Sequence, residues 1–483
     1  MIPSVSFRVR RRLLPIALLA VGWVLANTGF AALANHWFED FKQQASPEDL
    51  YRFLYNMPKG GDLHNHLSGS GLPEWWYEAA LNSAKKGYRY YTKVRIDNCR
   101  AYENRDADYS LLFRNIQESS WRQLSSCEQG EHKLLQNLTP AERQAWLHSI
   151  ELDKRSEGRD EFFGKHWQRL NHLFRNPYIT NEILLLNMQT FSDEGLIYLE
   201  TQSNSHGFLK PDGSLFDPNQ VAALYREQLK HPDAVATGMV VRLQNAVLRF
   251  LPGALEETKL LYEFSAKNPD LYVALNLVGI ESNTKGNPMH FLDTFRQLRR
   301  KYDLPLSIHA GESDGPNPHV RDTLLAGAER IGHGLNLIGD PETMRLMQFG
   351  QRMIEINLIS NLLLEYVKDY SEHPFPEYLR TGIPVALATD DRGMWNSNMT
   401  DEFYVAVVEY NLSWQEILKL SRNSLAYAFL PESVKQGLLD RYNANIASFE
   451  TAFSQGGLRQ AARKKPVRYQ FICRYYDLCE KPR

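Results

Sequence analysis

Little in the chain suits it to a polyanionic partner. Its 55 Lys+Arg and 57 Asp+Glu residues leave a formal net charge of −2 with no long basic stripe, so a nucleic-acid polymer has scant electrostatic support. Cysteine is scarce, with four in 483 residues and none at the C-x-x-C spacing of a zinc ribbon, which removes thiolate metal sites of that kind. Internal repeats and low-complexity linkers are lacking, so nothing suggests a solenoid or an array of tethered modules. Lysine is absent from the strand-like run 271–279; a carbamylated lysine bridging two metals is therefore not available there, which favours a single ion.

What the chain does have begins with an unusual N-terminus. Arg8, Arg10, Arg11 and Arg12 precede an apolar stretch at 13–26, followed by Ala32-Leu33-Ala34. A basic region, an apolar run shorter than the ~20 residues needed to span a bilayer and a small-x-small site predict a cleavable export signal over 1–34, the alternative being an uncleaved anchor. Its removal takes away four arginines and no acid, giving −2 − 4 = −6 for the mature chain. The expected product is secreted or periplasmic, with no stable membrane insertion. Export favours disulfides. Four cysteines allow three connectivities, and sequence proximity favours Cys99–Cys127 and Cys473–Cys479.

With 43% hydrophobic residues, the chain can bury one large core, and α/β barrels typically use about 250 residues as one domain. Residues 35–57 read as an N-terminal helical extension carrying Trp37, Phe38, Phe41, Leu50, Phe53 and Leu54. A main domain is expected over 58–455. The polar stretch at about 81–160 reads as an insertion after the first strand, with Thr139-Pro140-Ala141-Glu142 as a helix start inside it. Beyond residue 180, strand-like runs at 196–200, 239–243, 271–279, 304–309, 353–357 and 384–389 alternate with helical stretches such as 291–301 and 341–349. That rhythm predicts βα units on a parallel sheet. Periodicity does not choose between an open sheet and a barrel, but polar residues at the ends of several different strands favour an eight-stranded (β/α)8 TIM barrel. Residues 456–483 read as a C-terminal extension, either a solvated tail or a surface-docked segment.

The polar residues lie in five segments: Asp62-Leu63-His64-Asn65-His66; Ser307-Ile308-His309-Ala310-Gly311-Glu312; Arg330-Ile331-Gly332-His333-Gly334; Glu355-Ile356-Asn357 with Ser360-Asn361; and Ala388-Thr389-Asp390-Asp391. On a strand, residues i and i+2 share a face, so His64 and His66 can bind one ion. A lone H-x-H is weak evidence, since two satisfied histidines look the same. His309 and Asp390 strengthen it, each ending a strand-like run. Three histidines and an aspartate with an open position for water form a catalytic zinc set. Glu312, His333 and Asp391 remain as acid–base groups. Against these roles stand a helix-start glutamate for Glu312, a satisfied core histidine for His333 and an exposed acidic turn for Asp390-Asp391. Between two glycines, His333 is expected to sit exposed at the rim. As neighbours on a strand, Asp390 and Asp391 are expected to face opposite ways, one toward metal and the other toward water or a substrate N–H.

Met57-Pro58-Lys59-Gly60 running into His64-x-His66, then His309-Ala-Gly-Glu312, Arg330-Ile-Gly-His333-Gly, Ser360-Asn361 and Thr389-Asp390-Asp391, resembles the adenosine deaminase family. The export signal and cysteine-bracketed insertion look like its extracellular growth-factor branch. The resemblance implies one Zn2+ per chain held by His64, His66, His309 and Asp390, with Glu312 protonating purine N1. It implies that His333 and Asp391 orient the attacking water and manage its proton, and that the Gly279 backbone hydrogen-bonds the purine. The reaction implied is deamination of a purine nucleoside, adenosine or deoxyadenosine, with loss of ammonia; a homodimer is suggested by the resemblance alone.

Some positions depart from the family pattern. Ser68 stands where an acidic residue usually reaches the ribose, and it offers a hydrogen bond but no carboxylate. Asn276 stands where aspartate is commoner, and no arginine follows Glu200 closely. Adenine or a modified adenosine is thus an open alternative substrate, and a nucleoside-binding or growth-factor-like protein without turnover is a third reading. Phe162, Phe163 and Trp167 resemble the hydrophobic lid of the family, although such a set is more often ordinary helix packing.

Overall fold

A computed structural model describes residues 37–104, 107–154, 156–281 and 286–479; the expected export signal lies outside them. The chain divides into two compact units, Met1–Ser46 and Pro47–Arg483. In the first, the described residues form the helix Trp37–Gln44, with Lys42 paired to Glu39 one turn back. No helix among the described residues is long and apolar enough to cross a membrane.

Among the described residues, the second unit is built on eleven strands in chain order: β1 (Gly61–His66), β2 (Tyr90–Lys93), β3 (Asn115–Gln117), β4 (His132–Leu134), β5 (Tyr198–Gln202), β6 (Val240–Leu248), β7 (Tyr272–Val278), β8 (Leu306–Ala310), β9 (Arg330–His333), β10 (Met353–Ile356) and β11 (Val385–Leu387). Eight of them form one parallel sheet in the order β1-β5-β6-β7-β8-β9-β10-β11. A bridge between Asn65 and Asp390 brings its two edges together. Asp390 N–H donates to the His64 carbonyl at 2.9 Å, and its own carbonyl accepts from His66 N–H at 3.2 Å. The barrel is therefore nearly closed, and its seam is made by residues of the expected metal set.

The strands read as they do because period-two alternation is superimposed on full burial. Leu199, Leu243, Leu275, Leu277, Ile308, Ile331, Ile354 and Ile356 are all buried. The intervening Glu200, Gln244, Asn276, Ser307, Arg330 and Glu355 are equally buried but hydrogen-bond to one another across the barrel lumen. The lumen is thus polar and networked by hydrogen bonds and ion pairs, as buried polar groups require. Helices fill the connections, among them Leu292–Arg299 and Pro341–Phe349. C-terminal strand ends differ from expectation by two residues or more in three places: β5 continues to Gln202, β6 to Leu248, and β11 stops at Leu387.

Between β1 and β5 lies a small antiparallel sheet in the order β3-β2-β4, and Cys99 is bonded to Cys127 beside it. The helix Pro140–His148 starts at Thr139 with a reciprocal capping box to Glu142, as its sequence predicts. Cys473 is bonded to Cys479, at the last described helix, Gln470–Tyr476. That helix is docked rather than solvated, since Phe471 and Ile472 are buried.

Candidate active site

The four expected ligands converge. One nitrogen from each of His64, His66 and His309 and one carboxylate oxygen of Asp390 lie within 4.8 Å of one another. His66 Nε2 is 3.2 Å from His309 Nε2 and 3.1 Å from Asp390 Oδ1. His64 Nε2 is 3.5 Å from Asp390 Oδ1 and has no hydrogen-bond partner although fully buried. Imidazoles packed this closely, with an orphaned nitrogen at the centre, fit a cation with nitrogen and oxygen ligands.

The opposite ring nitrogens are held by the lumen. Glu355 Oε2 lies 2.8 Å from His64 Nδ1, and Asn276 Oδ1 lies 2.9 Å from His309 Nδ1. Each acceptor fixes its ring's tautomer and turns Nε2 toward the centre. Behind them Arg330 bridges Glu200 at 2.5 Å and Glu355 at 2.6 Å, while Gln244 links Glu200 to Asn276. Asn276, a departure from the family pattern, thus supplies the acceptor that His309 needs. Gly332 lets β9 lie against His64; a Cβ there would meet His64 Cε1 at 2.6 Å.

Glu312, His333 and Asp390 also bring one atom each within 4.8 Å of the others, with Glu312 Oε2 and His333 Nε2 3.6 Å apart. Burial, reinforced by the charges of Asp390 and Glu281, pushes the Glu312 carboxyl well above the usual range, so it is held as an acid. Burial and the neighbouring Asp390 charge do the same to Asp391. Burial, with His64 beside it, keeps His333 well below the usual imidazole range and hence neutral.

The tautomer of His333 follows from its neighbours. His373 Nδ1 accepts from Phe375 N–H at 3.1 Å, so its Nε2 carries the proton and donates to Asn361 Oδ1 at 3.1 Å. The Asn361 amide nitrogen then faces His333 Nδ1 at 3.0 Å, joined by Asn357 Nδ2 at 3.2 Å. With Nδ1 accepting, His333 Nε2 bears the hydrogen and points at the site.

Two expectations are corrected. His333 is not exposed at the rim: it is 1 % accessible, because its ring packs 4.8 Å from that of His64 and 5.1 Å from that of His309. Asp390 and Asp391 do not diverge by strand alternation, since β11 has already ended and Asp390 sits at φ +53°. Left-handed backbone aims the two carboxylates instead, an uncommon conformation for aspartate that the two seam hydrogen bonds secure. Asp391 lies against Gly69, where a Cβ would fall 1.7 Å from Oδ1.

Gly279 follows β7 directly, at φ +83°, and Ser68 is half-buried in the helical turn Leu67–Ser70 directly after His66. Trp167 stands 6.5 Å from the His66 ring and Phe162 packs 5.8 Å from Trp395. Sequence reasoning missed Glu281. Buried, it accepts from Gly311 N–H at 3.1 Å and from Glu312 N–H, and lies 2.9 Å from His319 Nδ1. It pins the loop that carries Glu312. The only local signal was an acid two residues beyond Gly279, too common to notice.

The adenosine deaminase family model matches residues 147–445. The chain belongs to the adenosine deaminase family. Adenosine deaminase 2 of Dictyostelium discoideum is 25% identical over 422 residues, covering 82% of this chain and 73% of that one. Among solved structures, the ADAL–IMP complex aligns with a TM-score of 0.61 at 20% identity, over 82% of this chain and 99% of that one. A Burkholderia ambifaria amidohydrolase with bound Zn aligns with a TM-score of 0.60 at 15% identity, over 84% and 94%. The structural likenesses establish a shared barrel, and family membership makes this chain a hydrolytic aminohydrolase.

Proposed function

We propose that the protein is an exported, zinc-dependent deaminase that converts adenosine or deoxyadenosine to the 6-oxo nucleoside and ammonia. The observation that carries this reading is the convergence of His64, His66, His309 and Asp390 beside a carboxyl held protonated, Glu312. A zinc ion held by those four residues would supply the Lewis acidity that makes water nucleophilic near neutral pH.

The chain's own groups then have separate tasks. Glu312 gives its proton to ring N1, which makes C6 electrophilic. The His333 Nε2–H orients the attacking oxygen, because its tautomer is set by Asn357 and Asn361. Burial and the Asp390 charge hold Asp391 protonated; with a cation offsetting that charge it would ionise, take a proton from the attacking water and pass it to the departing amine, while the proton left on the C6 hydroxyl returns to Glu312. The backbone of Gly279 meets the purine, and Trp167 covers the mouth above His66.

Ser68 favours a second reading, in which the same chemistry acts on adenine or a modified adenosine, since no carboxylate follows His66 at that spacing to hold an ordinary ribose. Turnover measured side by side on adenosine, deoxyadenosine, adenine and N6-methyladenosine, as loss of substrate absorbance, decides between them. Chelation should abolish turnover and zinc restore it. Undiminished activity after complete metal removal would overturn the proposal.

A further inference from the structure

A second group of ligand-type side chains lies outside this centre: Glu157, Glu161 and His166, whose ligand atoms fall within 4.8 Å of one another. His166 is fully buried, yet neither Nδ1 nor Nε2 has a hydrogen-bond partner, the Ile150 carbonyl being close but outside hydrogen-bond geometry. An imidazole with both nitrogens orphaned in the interior is costly unless something binds it. Here it shares its space with two carboxylates. Glu157 and Glu161 retain 9% and 23% side-chain exposure, so an ion has a path in.

We propose that Glu157, Glu161 and His166 form a second cation site that takes a zinc-class divalent ion. One imidazole and two carboxylates suit zinc better than Mg2+ or Ca2+, which prefer all-oxygen shells. Rotamer adjustments close the present spacings to the ~2 Å bonds of such an ion. Lys154 and Lys165 now pair with the glutamates at 2.7 and 2.6 Å, and Arg169 lies near the ring, so binding displaces two exposed ammonium groups rather than buried ones.

The location gives the ion a task. His166 closes a π-helical turn, Phe162–His166, that follows directly on Arg159–Glu161, and such turns are frequent at functional sites. Arg159 holds Asp314, two residues past Glu312, with paired 3.0 Å hydrogen bonds, and Trp167 faces His66. A bound ion would staple the segment that forms one wall of the active-site mouth.

The test is zinc content per chain after equilibrium dialysis of the purified full chain against zinc sulfate, read by mass spectrometry. Wild type should hold about two ions, and Glu161→Gln and His166→Ala about one. Glu161 is partly exposed, so its variant should fold even where His166→Ala does not. His309→Ala should keep about one ion, which separates failure of this site from failure of the active-site reading. A wild type with a single zinc that Glu161→Gln retains overturns the proposal, as does equal filling of the site by Mg2+ or Ca2+.

Discussion

Glu312 works because of where its neighbours put their charge. A carboxyl in water would be ionised at neutral pH and useless as a donor to a ring nitrogen. Here burial, then Asp390 and Glu281, favour the protonated form. Since activity needs the proton, it should be lost as pH rises through this raised pKa, so kcat/KM should persist well past the ordinary carboxylate range. An alkaline limb near pH 4–5 would contradict that assignment. Glu312→Gln should keep metal content and lose roughly 10²–10⁴-fold in kcat. Glu281 is a positioning residue, acting through the Gly311 and Glu312 N–H groups. Glu281→Gln should cost up to about 10²-fold in kcat through misplacement of Glu312. It should also shift the alkaline limb to lower pH, because one of the charges that raises the Glu312 pKa is gone; an unmoved limb would assign Glu281 a purely structural role.

At the scale of elements, the lumen network is the device that makes four short strand ends into one rigid centre. Arg330 on β9 neutralises Glu200 on β5 and Glu355 on β10, and Glu355 in turn holds His64 on β1. Arg330→Met would leave two carboxylates buried without their cation, and removing one partner of such a set typically costs about 3–5 kcal/mol. Glu355, no longer anchored by Arg330, would hold His64 less firmly, which should also weaken metal affinity by up to about 10–100-fold. Thermal unfolding and metal titration of the variant read these separately. The small sheet β2–β4 behaves differently. The Cys99–Cys127 bond closes a sequence separation of 28 residues, which corresponds to about 3–4 kcal/mol of restricted unfolded chain. Cys99→Ser with Cys127→Ser should therefore raise amide exchange locally in the residues between them while kcat changes little. A global loss of exchange protection would mean that this sheet is required by the barrel.

On the scale of the whole molecule, export is the prediction that composition carries. The amino terminus of protein recovered outside the cytoplasm should begin near residue 35, leaving a chain of net charge −2 − 4 = −6. Recovery of the full-length chain in the membrane fraction would support the anchor instead.

Sequence by itself determined the βα rhythm, the set of metal-ligand-type residues and the helix start at Thr139, because each depends on short-range pattern or on residue chemistry; it left three disulfide connectivities open, and the structure shows the one that proximity favours. It placed His64 and His66 on one face correctly, since strand alternation is a local rule. It misjudged His333 and the Asp390-Asp391 pair, because exposure and left-handed backbone are imposed by what packs around them. Glu281 was invisible for the same reason: its partners lie 30, 31 and 38 residues away in the chain. Only the folded barrel decided which nitrogen of His64, His309 and His333 faces the centre, because those tautomers are set by Glu355, Asn276 and the Asn357 and Asn361 amides, which lie elsewhere in the chain. Local pattern chose the side chains, and long-range burial in a networked lumen chose their protonation and aim.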